Sequence, residues 1–283
     1  MCGRFVSARK RLELLEEFAV ERDRVAQDRN PDYNVAPTKR IYTVMNRAEE
    51  GDEGGKPRPE AAAERATERA TQRELRLVRW GLVPSWAKDV SGGARMINAR
   101  AETVAVKPAF RSAFARRRCL IPADGYYEWQ APADGGKVKQ PYYIYRTDGG
   151  ILSFAGIYEF WRDGQVPSDH EDAWLWTASI ITTDATDEIG RIHDRTPMVI
   201  APESWQDWLD PANNDRELLL ATMQPATSAG TGGLTSHTVS TAVNSVRNNG
   251  PDLIAPLPSQ QPSGEGPGAG GSGSGREDRP FQF

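Results

Sequence analysis

Cysteine and histidine are scarce in this chain of 283 residues. Two cysteines, Cys2 and Cys119, are too few for a disulfide framework or a zinc cluster, and His170, His193 and His237 do not fall at ligand spacing. No metal or cofactor is expected, and free thiols suggest a reducing compartment. Long apolar runs are missing too. Nowhere do about 18 apolar residues follow one another, and the start has no basic stretch leading into an apolar one. The expectation is a cytoplasmic protein without a membrane partner. An excess of cations is also lacking: the net charge is −4, a weak argument against nucleic acid that fails wherever basic residues gather on one face.

What is present suffices for a core. Hydrophobic residues make up 38% of the chain, with eight each of Trp, Tyr and Phe. Two segments read as unpacked. Residues 46–74 are Gly/Pro-rich and acidic, then Ala/Glu/Arg-rich with no apolar stripe, an expected disordered insertion with some helix around Ala61 to Arg73. Residues 258–283 are an expected disordered Gly/Ser/Pro tail. The rest is expected to form a single domain, residues 2–257, with the 46–74 insertion inside it. Runs of β-branched and aromatic residues at 41–45, 75–80, 118–121, 142–145, 152–158 and 174–181 predict strands. Apolar spacing predicts helices over Ala8 to Phe18, with Ser7 as a cap, and over Pro202 to Leu209 and Arg216 to Met223. The fold class is α+β, a closed or nearly closed sheet with helices outside.

The opening Met1-Cys2-Gly3-Arg4 has a chemical consequence. Removal of Met1 leaves Cys2 with a free amine and a thiol on adjacent carbons. Such a 1,2-aminothiol traps an aldehyde in two steps, an imine and then a thiazolidine ring, which no internal cysteine can do. Its amine titrates near ~8 and its thiol near ~8.5, so both are usable nucleophiles near neutral pH.

Three further polar residues stand out. Asn98, two residues before Arg100, either orients a reacting amine or caps a following helix. Glu128, ringed by Tyr126, Tyr127 and Trp129, is either salt-bridged or carries a raised pKa suited to proton transfer. His193 is either structural or an acid/base group.

Seven segments carry a resemblance. They are Met1-Cys2-Gly3-Arg4-Phe5, Tyr33-Asn34-Val35-Ala36-Pro37-Thr38, Trp80-Gly81-Leu82-Val83-Pro84-Ser85-Trp86, Asn98-Ala99-Arg100-Ala101-Glu102-Thr103, Cys119 to Trp129, Ile192-His193-Asp194-Arg195-Thr196-Pro197, and Val239 to Leu253. Together and in this order they resemble the SRAP family (SOS response-associated peptidases), whose members cross-link abasic sites in single-stranded DNA. The resemblance implies a β-barrel-like core flanked by helices. It implies Cys2 as the nucleophile that joins the ring-opened sugar aldehyde, Glu128 as the proton carrier, Asn98 as the amide holding the amine and the sugar, and His193 as the assistant in ring opening and reversal.

Single-stranded DNA carrying abasic sites is therefore the expected partner of a monomer that is nucleoid-associated when bound. Arg4, Arg100 and Arg111 are the candidate DNA contacts by charge, with Arg116-Arg117-Arg118 adding local positive charge. Trp80 and Trp86 are candidates for stacking on bases. Two other readings use the same residues: a cysteine-dependent peptidase or N-terminal-nucleophile hydrolase, including removal of Met1, and a non-catalytic DNA reader.

Overall fold

A computed structural model describes residues 2–48, 71–167, 170, 173–185, 188–226 and 233–258. Among them the strands are β1 (Phe5–Ser7), β2 (Arg22–Asp23), β3 (Asp32–Val35), β4 (Arg40–Ala48), β5 (Thr71–Trp80), β6 (Asn98–Arg100), β7 (Arg118–Ala123), β8 (Gly125–Gln130), β9 (Gln140–Arg146), β10 (Leu152–Arg162), β11 (Trp174–Asp184), β12 (Arg195–Ile200), β13 (Met223–Pro225) and β14 (Leu234–Thr238). Five short α-helices accompany them: α1 (Arg11–Glu17), α2 (Ala101–Val104), α3 (Arg111–Arg116), α4 (Trp205–Leu209) and α5 (Arg216–Thr222).

The strands form two sheets. The smaller runs β14-β9-β8-β1-β3, and the larger β13-β12-β10-β7-β4-β5-β11-β6 with β2 on β5. In the larger sheet β11 pairs with β5 on one side and with β10 and β12 on the other, so that β10, β7, β4, β5 and β11 meet end to end in a ring-like turn.

Strand alternation sorts the core into three layers. On the larger sheet Tyr42, Val44, Leu75, Leu120, Ala155 and Ile157 point outward to Leu14 and Phe18 of α1, Phe114 of α3 and Trp208 of α4. Their sequence neighbours Ile41, Met45, Val78, Cys119, Ile121, Phe154 and Tyr158 point inward and meet Phe5, Val35, Tyr126 and Ile144 of the smaller sheet. The far face of that smaller sheet, with Val6, Tyr127 and Tyr143, is covered by Val239, Val243 and Leu253 near the end of the described chain.

The differences from the sequence reading are local. β4 continues through Asn46 to Ala48 and β5 begins at Thr71, so both ends of the expected 46–74 insertion are strand, including Thr71 to Arg73 at the end of the expected helical stretch. Residues 49–70 and 259–283 lie outside the described residues. Ser7 belongs to β1, and Lys10 precedes α1 in the capping position. Asn98 is a strand residue, and the residue capping α2 is Arg100. Among the described residues no helix is long and apolar enough to cross a membrane, and no group of three or more His, Cys, Asp or Glu side chains is placed to hold a metal ion.

Candidate active site

The two sheets meet around Cys2. Its side chain is fully buried in the inter-sheet core, and its backbone carbonyl accepts a hydrogen bond from Asn98 Nδ2 at 2.8 Å. Asn98 is presented by β6, which lies parallel to β11 with Asn98 opposite Ile180. The other atom of its amide, Oδ1, is buried without a protein hydrogen-bond partner. Burial raises the Cys2 thiol well above its usual range, and the nearby Glu128 carboxylate raises it further. The sulfur is therefore a protonated thiol at neutral pH.

Glu128 sits on β8 and shares a strand face with Tyr126, which points into the same core. The residue is 2% exposed. Desolvation lifts its pKa to about 7 against the lowering effect of the N-terminal amine, with the Asp194 charge adding a smaller rise. A carboxyl that titrates there can both give and take a proton at neutral pH.

His193 faces this carboxyl, its Nε2 lying 3.8 Å from Glu128 Oε2. Its Nδ1 accepts a hydrogen bond from the Arg195 backbone N–H at 3.0 Å. Nδ1 also lies 2.8 Å from Asp194 Oδ1, but one nitrogen cannot accept from the backbone and donate to a carboxylate at once. Burial lowers the His193 pKa, so the neutral ring prevails, with its proton on Nε2 toward Glu128. The exposed Asp194 gains a hydrogen bond only when the ring is charged.

Sequence reading passed over the side chain of Arg195, two residues beyond His193. It is 6% exposed and donates to Glu102 Oε1 at 2.9 Å, to Asp184, and to the Thr182 carbonyl at 2.6 Å. It thereby ties the entry of β12 to β11 and α2. The structure thus brings Cys2, Asn98, Glu128 and His193 to one place from four separate segments.

Known proteins resemble this chain over most of its length. The family model described as SOS response associated peptidase (SRAP) matches residues 1–246. The chain belongs to the SRAP family. It is 36% identical over 254 residues to the abasic site processing protein YoqW of Bacillus subtilis, covering 90% of this chain and 99% of YoqW. It is 30% identical over 264 residues to YedK of Escherichia coli, covering 91% and 100%. With HMCES of Gallus gallus it shares 33% over 208 residues, 65% of this chain and 58% of that one. Among solved structures, a Bacteroides thetaiotaomicron protein has the same fold, with a TM-score of 0.67 at 24% identity over 90% of this chain and all of that one.

Within this SRAP chain the candidate DNA contacts are scattered. Arg100 is exposed and shares the face of β6 that carries Asn98, beside the site. Trp86 is 69% exposed on a loop that is pinned rather than loose. Trp161 Nε1 donates to the Ala87 carbonyl at 2.7 Å. Gly81, at a φ of +121°, packs so closely that a Cβ there would lie 2.6 Å from the Gly93 carbonyl oxygen.

Other candidates are placed elsewhere. Trp80 is completely buried, its Nε1 donates to the Ile97 carbonyl at 2.9 Å, and its ring packs edge-on against Phe5. No base can stack on it. Arg111 begins α3, whose Ala113 and Phe114 fill the helix-side core, so it lies across the larger sheet from Cys2. Of the following arginines only Arg116 is exposed. Arg117 pairs with buried Glu159 at 2.7 Å, and buried Arg118 donates to the carbonyls of Phe114, Ala115, Trp208, Asp210 and Asn213.

Arg4 is committed to protein contacts. Its Nη1 donates to Asn34 Oδ1 at 2.6 Å and to the Val243 carbonyl at 2.8 Å, and its guanidinium lies over Trp129. Asn34, fully buried, uses its amide nitrogen on the Val243, Ser245 and Asn248 carbonyls. Trp129 Nε1 donates to Asn244 Oδ1 at 2.7 Å. These contacts fasten the 241–249 segment over the smaller sheet.

Proposed function

We propose that this protein processes abasic sites in single-stranded DNA by capturing the open-chain sugar on Cys2. The observation that carries the reading is a potential N-terminal aminothiol held by Asn98 beside a carboxyl that titrates at about 7. The abasic processing named for YoqW, YedK and HMCES supports it.

The chemistry starts with loss of Met1, which frees the Cys2 amine. The closed sugar opens when a proton reaches its ring oxygen while the C1 hydroxyl gives one up, and Glu128, half protonated near pH 7, is placed to supply the first and take the second. The amine then adds to the aldehyde carbon, one of its protons passing to the new oxygen, and the resulting hydroxyl leaves as water with a proton from the same carboxyl, which recovers it from the iminium nitrogen as the imine forms. The imine carbon next accepts the thiol. A carbon–sulfur bond forms, the thiol proton passes to Glu128, and the nitrogen gains a proton as the thiazolidine closes. One water is lost overall.

Asn98 fixes the backbone of the nucleophile so that amine and sulfur approach one carbon. His193, neutral with Nε2–H toward Glu128, is placed to pass the proton between that carboxyl and the sugar, forward and in reversal. Arg100 and Trp86 are the contacts we assign to phosphate and base.

The test is denaturing electrophoresis of protein mixed with single-stranded DNA bearing one abasic site. Wild type with Met1 removed is expected to give a heat-stable shifted band, and Cys2→Ala, Cys2→Ser and an unprocessed chain none. Processed wild type without that band would overturn the reading.

A further inference from the structure

Three consecutive same-face residues of β8 reach across to a segment of the other sheet. Tyr126 Oη lies 3.2 Å from Thr196 Oγ1, Glu128 Oε2 lies 3.8 Å from His193 Nε2, and Gln130 Nε2 donates to the Arg191 carbonyl at 3.0 Å. Going up β8, the partners descend from 196 to 193 to 191, as in an antiparallel register. Yet β8 belongs to the smaller sheet and β12 to the larger, and no strand pairing joins them among the described residues. Across this gap these contacts come from β8 side chains, while backbone pairing with β11 holds the segment from its other side.

We propose that Tyr126 and Gln130 are positioning residues that hold the 191–196 segment in register with β8, so that His193 meets Glu128. Gln130 is itself oriented. The Tyr142 hydroxyl of β9 donates to Gln130 Oε1 at 3.0 Å, which turns the amide nitrogen toward Arg191. The hydrophobic anchors of the segment, Ile189 and Ile192, are buried in the inter-sheet core and keep it folded onto the protein when a polar clamp is lost. What the clamps fix is the last ångström between imidazole and carboxyl. Around His193 the charged groups are the N-terminal amine, Glu128, Asp194, Lys139 and Arg195, and the contact with Glu128 is bracketed by clamps on both sides.

The proposal rests on the Glu128–His193 pair acting in the capture reaction, so its test has one readout that needs no reaction. Gln130→Met, Tyr126→Phe and Tyr142→Phe, each keeping size while removing a hydrogen bond, are compared with wild type in the full chain. Imidazole 1H–15N spectra report the tautomer and titration of His193, and cross-linking to abasic single-stranded DNA is followed against pH.

We expect folded variants in which His193 titrates higher, toward its ordinary value, as the ring swings into water. Cross-linking should slow by roughly 10-fold or more, within the ~100-fold that a 1 Å misplacement costs. Should Gln130→Met fail to fold, Tyr142→Phe tests the same clamp from behind. An unmoved His193 titration in the folded variants overturns the proposal. A wild type that never cross-links overturns the capture reading instead, and leaves the titration to decide the clamp.

Discussion

Asn98 Nδ2 holds the carbonyl of Cys2 at 2.8 Å, which couples the conformation of the chain's second residue to β6 and, through its pairing, to β11. Asn98→Ala removes one hydrogen bond, worth about 1 kcal/mol to stability. Its effect on reaction should be larger, because an unheld nucleophile loses its approach geometry: we expect cross-linking to fall by roughly 10- to 100-fold. Single-turnover rates beside thermal melts check both numbers, and equal losses in the two would reduce Asn98 to a structural residue.

Glu128 gives a pH signature. Its folded pKa of about 7 lies above its ordinary value of 4.5, so the folded state holds its proton more tightly than the unfolded one. Below the ordinary value both states are protonated and the group costs nothing. As pH rises through the interval, the unfolded chain releases the proton first and stability drops, by about 3 kcal/mol in full at ~1.4 kcal/mol per pH unit. Glu128→Gln should therefore stabilise the protein at pH 8 relative to wild type and not at pH 4, while abolishing most cross-linking. Denaturant melts at the two pH values read the difference.

The two tryptophans should separate cleanly. Trp86→Ala is expected to weaken single-strand binding by about 1–3 kcal/mol and leave the melting temperature unchanged. Trp80→Ala, which empties a core position and removes one of two hydrogen bonds to the Ile97 carbonyl, should cost about 3–5 kcal/mol of stability. Equilibrium binding to an unreactive strand and thermal melts distinguish them.

The arginines divide in the same way. Arg100→Ala should weaken binding and reduce the salt slope by about 0.7, the loss of one phosphate contact on a single strand. Arg118→Met should leave that slope alone and destabilise the fold by at least about 1–3 kcal/mol, the penalty for a single buried carbonyl left unpaired. Titrations at several salt concentrations check the first, and denaturant melts the second.

Sequence reading reached much of this because local signals and the needed chemistry coincided. Runs of β-branched and aromatic residues located β4, β5, β7, β9, β10 and β11, and apolar spacing located α1, α4 and α5. Polar residues in otherwise apolar segments marked Asn98, Glu128 and His193, which the fold then gathered. What it missed depends on long-range packing. Trp80 and Trp86 flank one Gly/Pro turn and look alike in sequence, yet pairing of β5 with β11 buries the first and leaves the second on a pinned loop. Arg118 reads as part of a cationic run, whereas the ends of α3 and α4 supply the carbonyls that draw it inward. The clamps at Tyr126 and Gln130 carried one legible hint, their shared face with Glu128, but their partners lie 70 and 61 residues away, in β12 and in the turn before it.

The most direct test of the account is the mass of the N-terminal peptide after reaction with an abasic single strand and digestion of the DNA to its sugar phosphate. The account predicts a peptide beginning at Cys2 that carries the sugar phosphate less one water and is unchanged by borohydride, since a closed thiazolidine has no imine left to reduce. An unmodified Cys2 peptide, or an adduct that borohydride shifts by two hydrogens, would contradict it.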